Sequence, residues 1–277
     1  MCRLFGLTAG TARVRATFWL LDAPDSIEVQ GRRNTDGSGI GFFDPAGTPV
    51  LDKQPEPAFS DTEFSHEARQ AESATFVAHV RLATAGGRTV VNTHPFAMNG
   101  RIMAHNGSFG ELRQVDEQLG PYRRLVLGDT DSERYFALIT QQVDACGGDV
   151  AAGVTAAARW IAERLPVVAL NAIITTADEL WALRYPGQHA LHVLERPAED
   201  GLHVRSATSS VRIPALGAAR SVVVASEQLD GETGWRMLAP GELVHVGPDL
   251  SVDSAVVIDE PPARLIPLGG PNPNIDT

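Results

Sequence analysis

Met1-Cys2-Arg3-Leu4-Phe5-Gly6-Leu7 places a thiol at the second position and a short β-rich run directly behind it. A small second residue such as Cys permits removal of the initiator methionine. Cys2 then carries a thiol and a free α-amino group on one residue, a nucleophile with its own base. An ordinary thiol titrates near ~8.5 and an α-amine near ~7.7–8.0, so around neutral pH part of the amine is free to take the thiol proton, directly or through one water. No catalytic histidine is then required. A lone cysteine is more often a small buried hydrophobe, so the remaining sequence has to decide between the two. Residues 3–7 predict a strand that anchors this group at the edge of a sheet.

At 277 residues the chain can bury a full core, in one large domain or two small ones, and it has no internal repeat or low-complexity linker. A net charge of −11 argues against a nucleic-acid partner and against an anionic membrane surface. Arg13 and Arg15 fall where a signal peptide needs an unbroken apolar run, and no stretch elsewhere is long enough to span a bilayer. A soluble, cytoplasmic protein is expected. Cys2 and Cys146 are the only cysteines, too few for a disulfide framework, which fits a reducing compartment.

Residues 16–22 predict a helix broken at Pro24. Residues 33–43 contain glycines without the dinucleotide-loop spacing and are expected to form a turn feeding a strand. Residues 50–53 should pair with it as a hairpin, and residues 62–71 should be helical. Residues 75–80 form a β-rich run that delivers Arg81 and Thr84 at its end. Residues 92–96 predict a turn, residues 101–104 a strand ending in His105-Asn106-Gly107, and residues 109–119 a helix. Thr130 and Glu133 have capping-box spacing, with Tyr135, Leu138, Ile139 and Val143 on one face behind them, so Asp131 falls in a helix's first turn. Val150, Val154, Ala157, Ile161 and Leu165 repeat the helical period.

Beyond Pro166 the pattern changes to strands at 169–175, 179–185, 191–195, 202–206, 221–226, 243–246 and 251–258, expected to complete a second sheet. Strands, two helices, then strands again is not the alternation of a doubly wound sheet. It predicts an α+β fold of two mostly antiparallel sheets packed face to face with helices outside. Residues 1–260 are expected to form one domain, and the Pro-rich residues 261–277 an extended tail.

Several polar groups sit at strand or helix ends. Arg81 either makes a salt bridge or clamps a carboxylate through two parallel hydrogen bonds. Asp131 is either a helix-start carboxylate held by the dipole or a ligand-binding group. Asp129, Asp131 and Glu133 alternate as in a cation loop, but Arg134 stands where that loop needs glycine, so no metal is expected. His79, His94 and His105 lack ligand spacing and read as hydrogen-bonded structural histidines. There is no G-x-S-x-G elbow. Asn106-Gly107 offers a side-chain amide beside a glycine N–H just after a strand, two donors able to converge on one oxygen.

Together Cys2, His-x-Arg-x-Ala-Thr at 79–84, Thr-His-Pro-Phe at 93–96, His-Asn-Gly at 105–107 and Thr-Asp-Ser-Glu at 130–133 resemble the class II, N-terminal-nucleophile glutamine amidotransferases. The resemblance implies a four-layer αββα sandwich, the N-terminal nucleophile hydrolase fold. It also implies Cys2 as nucleophile with its own amine as base, and Asn106 and Gly107 as oxyanion hole. Arg81 would hold the substrate α-carboxylate and Asp131 its α-ammonium, with Thr84, His94 and His105 among the substrate-binding positions. No cofactor is expected.

Residues 31–43 and Val223 to Asp230 with Trp235 resemble a short, free-standing branch that includes a γ-glutamyl amidohydrolase of ergothioneine synthesis and a glutathione-degrading amidase. Ser38 replaces the tryptophan of that branch, and Gln228 stands where proline is common. Leu82 and Ala85 replace an aromatic and a histidine of the larger synthases. Ser38 and Leu82 are expected on the leaving-group side.

The implied activity is hydrolysis of a γ-glutamyl amide, glutamine or a conjugate, to glutamate and ammonia or an amine. The alternatives are a glutaminase subunit supplying a separate ammonia-accepting synthase, a non-catalytic γ-glutamyl sensor, and an N-terminal-cysteine amidase of the bile-salt and penicillin type. The last has no obvious use for the carboxylate clamp at Arg81. A homodimer is compatible with each.

Overall fold

In the computed structural model, which describes residues 2–83, 86–198, 202–205, 210–213, 219–270 and 273, strand β1 (Arg3–Thr8) runs through the middle of a seven-stranded sheet. It was expected at an edge. The correction lies in the pairing of residues 221–225, far away in sequence, along its second side. Leu4 points to one face and Phe5 and Leu7 to the other, and both faces are covered, so residues 4–7 are apolar throughout.

The chain continues through a π-helical turn Phe18–Asp22, α1 (Ile27–Gly31), β2 (Ser38–Phe43), β3 (Pro49–Gln54), α2 (Thr62–Gln70) and β4 (Thr75–Val80). Next come β5 (Phe96–Met98), β6 (Arg101–Phe109), α3 (Leu112–Leu119), a 3-10 turn Gly120–Leu125, α4 (Asp131–Ala145) and α5 (Val150–Arg164). Strands β7 (Pro166–Thr175), β8 (Leu180–Leu183), β9 (His192–Arg196), β10 (Leu202–Arg205), β11 (Ser210–Ile213) and β12 (Ser221–Ala225) follow. The last are β13 (Arg236–Met237), β14 (Glu242–Val246), β15 (Val252–Val256) and β16 (Arg264–Leu265).

The first sheet has the order β13-β9-β12-β1-β4-β2-β3, the second β15-β14-β8-β7-β6-β5 with β16 added alongside β7. Strands β10 and β11 pair with each other. Neighbours are antiparallel except β16, which is parallel to β7. Leu4, Val77, Ile102, Ile173, Val224 and Val244 fill the space between the sheets. Phe5, Trp19, Ile27, Phe64 and Phe76 pack the outer face of the first sheet under α1 and α2. Phe109, Val115, Tyr135, Leu138, Val154 and Ile161 do the same for the second sheet under α3, α4 and α5. The result is the expected αββα sandwich.

Three further expectations change. The strands after Pro166 do not all complete the second sheet, because β9, β12 and β13 join the first. The strand expected to stop at residue 104 continues to Phe109, since β7 pairs with it along that length, and the next helix starts at Leu112. Beyond residue 260, Arg264 and Leu265 lie against Pro166 and Val167 of β7, so this segment contributes to the second sheet. Ser206 of the expected 202–206 strand lies outside the described residues.

Helix α4 starts as its sequence suggests. Thr130 Oγ accepts from Glu133 N–H at 3.2 Å, but the Glu133 carboxylate accepts from Leu127 N–H at 3.0 Å and Gly128 N–H at 2.7 Å. The capping residue is satisfied while its expected reciprocal partner tethers the preceding loop. Helix α5 packs closely on α4 at Gly153, where a Cβ would sit 2.4 Å from Val143 Cγ2 and 2.6 Å from Val143 N. Alanine gains ~1 kcal/mol of helix propensity, but the clash is with backbone that cannot swing away. Gly153→Ala is therefore expected to destabilise the fold by about 1–2 kcal/mol, read as a lower urea midpoint at unchanged m.

Candidate active site

Cys2 stands one residue before β1, and the register of β1 with β4, Arg3 opposite Val80, carries the chain beyond β4 past its side chain. Leu82 N–H donates to Cys2 Sγ at 3.2 Å, and the thiol donates to Leu82 O at 3.3 Å. Burial is the largest influence on the thiol and raises its pKa above the ordinary value. The Leu82 hydrogen bond and the charge of Arg81 pull it down, while Asp131 pushes it up.

Arg81 is buried and donates from Nη1 to Gly87 O at 3.2 Å and from Nη2 to Gly86 O at 3.3 Å. Its burial is opposed by the charges of Cys2, Asp36 and Asp131. Asp131 lies in the first turn of α4. Its Oδ2 accepts from Phe109 N–H at 3.2 Å and its Oδ1 from Ser132 N–H at 2.8 Å, so the carboxylate ties the helix start to β6. A carboxylate at a helix N-terminus also gains from the helix dipole.

His105 projects from β6 towards α4. Its Nδ1 lies 2.9 Å from Ser132 Oγ and its Nε2 3.2 Å from Ala169 O. Burial lowers its pKa, so the ring is neutral at pH 7, and the carbonyl partner assigns the proton to Nε2. The His79 and His94 rings pack against each other, tilted by 32° with centroids 4.2 Å apart. Burial drives His79 down to about 3 and His94 well below its ordinary value.

Cys2, Arg81, His94, His105, Gly107 and Asp131 share the lining of one water-sized cavity of about 20 Å³, together with Leu82, Thr130 and Ser132. Gly107 has to be glycine, since a Cβ there would sit 1.9 Å from Ala169 O and split β6 from β7. Asn106 is placed differently from the expectation. It lies inside β6 rather than after it, and its Nδ2 donates to Ser226 Oγ at 3.5 Å. Ser226 Oγ also accepts from Leu4 N–H at 2.9 Å, so one hydroxyl links Asn106 to the strand of Cys2.

Thr84 and Met1 fall outside the described residues. Ser38 does not line the cavity. It is fully buried on the α2 side, donating to Glu56 O at 2.9 Å and Asp61 Oδ2 at 3.0 Å, whereas Leu82 does line it. The sequence reading assigned no role to the Leu82 backbone, Ser132 or Ser226. Ser132 lies within the Thr-Asp-Ser-Glu motif, but its hydroxyl's partner, His105 on β6, has no local trace. Among the described residues no cluster of His, Cys, Asp or Glu is arranged to hold a metal ion, and no helix is long and apolar enough to cross a membrane.

A thiol, a buried arginine and a buried carboxylate line one cavity on an αββα sandwich. The chain belongs to the class II glutamine amidotransferases, whose family model matches residues 1–255, and it is an enzyme of that family. It is 30% identical over 256 residues to the γ-glutamyl-hercynylcysteine sulfoxide hydrolase of Mycobacterium tuberculosis, covering 89% of this chain and 93% of that protein. It is 32% identical over 127 residues to a probable glutamine amidotransferase of Saccharomyces cerevisiae, a match spanning 42% of this chain and 35% of the yeast protein. In fold it is similar to the glutamine phosphoribosylpyrophosphate amidotransferase of B. subtilis, with a TM-score of 0.65 at 19% identity over 94% of this chain and 50% of that one.

The buried histidines set an acid limit. His79 has a folded pKa of about 3 against 6.5 for an ordinary histidine, so between these values the unfolded chain binds more protons and stability rises with pH. Acidification through that window should remove up to ~1.4 kcal/mol per pH unit for each such histidine. His79→Gln is expected to flatten the slope by about one proton, measured by urea unfolding as a function of pH.

Proposed function

We propose that the protein hydrolyses a γ-glutamyl amide through a thioester on Cys2, releasing glutamate and ammonia or a larger amine. The observation that carries this reading is the cavity in which the Cys2 sulfur meets the buried opposite charges of Arg81 and Asp131. A free amino-acid end carries one carboxylate and one ammonium, and these two residues match it charge for charge. Arg81 takes the carboxylate and Asp131 the ammonium, leaving the γ-carbonyl to face the sulfur. His94 and His105 complete the binding surface.

With Met1 removed, the α-amine of Cys2 takes the thiol proton and the sulfur attacks the γ-carbonyl carbon. Negative charge moves onto the carbonyl oxygen and is received by the Asn106 amide and the Gly107 N–H. Asn106 is available for this because its bond to Ser226 Oγ is long, at 3.5 Å. Collapse breaks the C–N bond and the proton goes to the leaving amine; water then attacks the thioester with the α-amine again as base, the C–S bond breaks, and the sulfur takes the proton back as glutamate leaves. A reducing, cytoplasmic setting belongs to the same reading, since a disulfide would disable Cys2.

A near-full-length match to a protein named as a γ-glutamyl hydrolase supports release of the product over its transfer to a separate synthase. The test is glutamate release by Met-processed protein from glutamine, glutathione and other γ-glutamyl amides, with Cys2→Ala as control. Release abolished by Cys2→Ala is the expected outcome. No release from any member of the panel overturns the hydrolase and leaves an ammonia donor or a sensor. Arg81→Lys should raise KM about ten-fold or more with a smaller change in kcat, because a point charge replaces a planar fork, and steady-state kinetics on the preferred substrate checks this.

A further inference from the structure

The Asn34-Thr35-Asp36-Gly37 turn ahead of β2 holds the peptide that touches the nucleophile. Asp36 N–H donates to Arg81 O at 2.9 Å, and Arg81 N–H donates to Gly37 O at 2.8 Å. Two residues on, Asp36 Oδ2 accepts from Ala83 N–H at 2.8 Å. Asp36 therefore grips the chain on both sides of Leu82, the residue whose N–H and C=O contact Cys2 Sγ. Leu82 belongs to none of the core clusters and is 38% exposed. The orientation of its peptide rests on the hydrogen bonds of its neighbours.

Asp36 is 5% exposed and outside the cavity lining, and its Oδ1 pairs with Arg88, an exposed residue. Burying a carboxylate is costly unless its bonds repay it. The β2–β3 ladder starts at Ser38 and needs no side-chain acceptor from Asp36.

We propose that Asp36 is a positioning residue for Cys2: by holding Ala83 N–H, it aims the Leu82 N–H at the sulfur. As the thiol proton leaves for the α-amine, the Leu82 N–H···S bond becomes charge-assisted and strengthens, so the thiolate is favoured at the moment of attack. The inference rests on Cys2 being the reacting thiol.

The experiment is the pH dependence of Cys2 alkylation by iodoacetamide, in Met-processed protein carrying Cys146→Ser because Cys146 is exposed and would also react. Asp36→Ala should raise the alkylation midpoint by about one pH unit, the scale of one hydrogen bond to a charged group. On the preferred γ-glutamyl amide it should lower kcat roughly ten-fold with KM within about two-fold. Asp36→Asn keeps an oxygen that accepts from Ala83 and should stay near the wild-type midpoint, as should Arg88→Ala. Asp36→Ser, too short to reach Ala83, serves in place of the alanine variant if that one does not fold, and must show the same shift.

An unshifted midpoint in Asp36→Ala or Asp36→Ser overturns the proposal, as does an Asp36→Asn shift as large as theirs. Alkylation needs no substrate, so failure here is distinct from failure of the hydrolase reading, in which wild-type protein would release no glutamate.

Discussion

Arg3 faces Val80 across β1 and β4, and that one register decides what surrounds the sulfur of Cys2. Antiparallel pairing continues the geometry by one residue on each strand, so the segment that leaves β4 passes beside the residue that precedes β1. Arg81 and Leu82 reach the site for this reason. A slip of one residue would turn each side chain of β1 to the opposite face. Leu4 would leave the space between the sheets and Phe5 would enter it, which the packing on both sides forbids.

The second sheet contributes through β6, whose alternation separates two tasks. Ile102, Ala104 and Asn106 face the first sheet, while Met103 and His105 face the helix layer. Asn106 is thereby presented to the strand that follows Cys2, and His105 braces the start of α4, where Asp131 is held. The site is assembled from buried polar groups. Under those conditions an opposite charge or an aimed N–H has a larger effect than it would in solvent. The histidines of this region carry no charge at neutral pH, so the electrostatics of the cavity are set by Arg81, Asp131 and the state of the thiol.

Much of this was legible in the residues. The strand at 75–80 and the helix through Val150, Val154, Ala157 and Ile161 follow their local patterns closely. The short motifs also marked six residues that the fold brings to one cavity. What sequence did not carry was the partner of each strand. The Val-Val-Val run of β12 looks like any buried strand, and nothing in it points to β1 rather than to the second sheet. Asn106-Gly107 has the composition of a turn, but pairing with β7 keeps it extended. Ser38 resembled a cavity residue because its motif did, yet strand alternation turns it towards α2. The bonds made by Ser226 and Asp36 arise only when distant segments meet, so neither could be anticipated from spacing.

The central position of β1 also has a consequence in time. Its neighbours are β4 on one side and β12 on the other, and β12 lies more than two hundred residues further along the chain than the strand it completes. Loop closure over such a separation comes late and slowly. On the ribosome Cys2 is made long before the hydroxyl of Ser226 that links its strand to Asn106. The thiol consequently spends synthesis without its finished surroundings. Under the proposed chemistry, an interrupted chain would carry the thiol without the groups gathered around it by the finished fold.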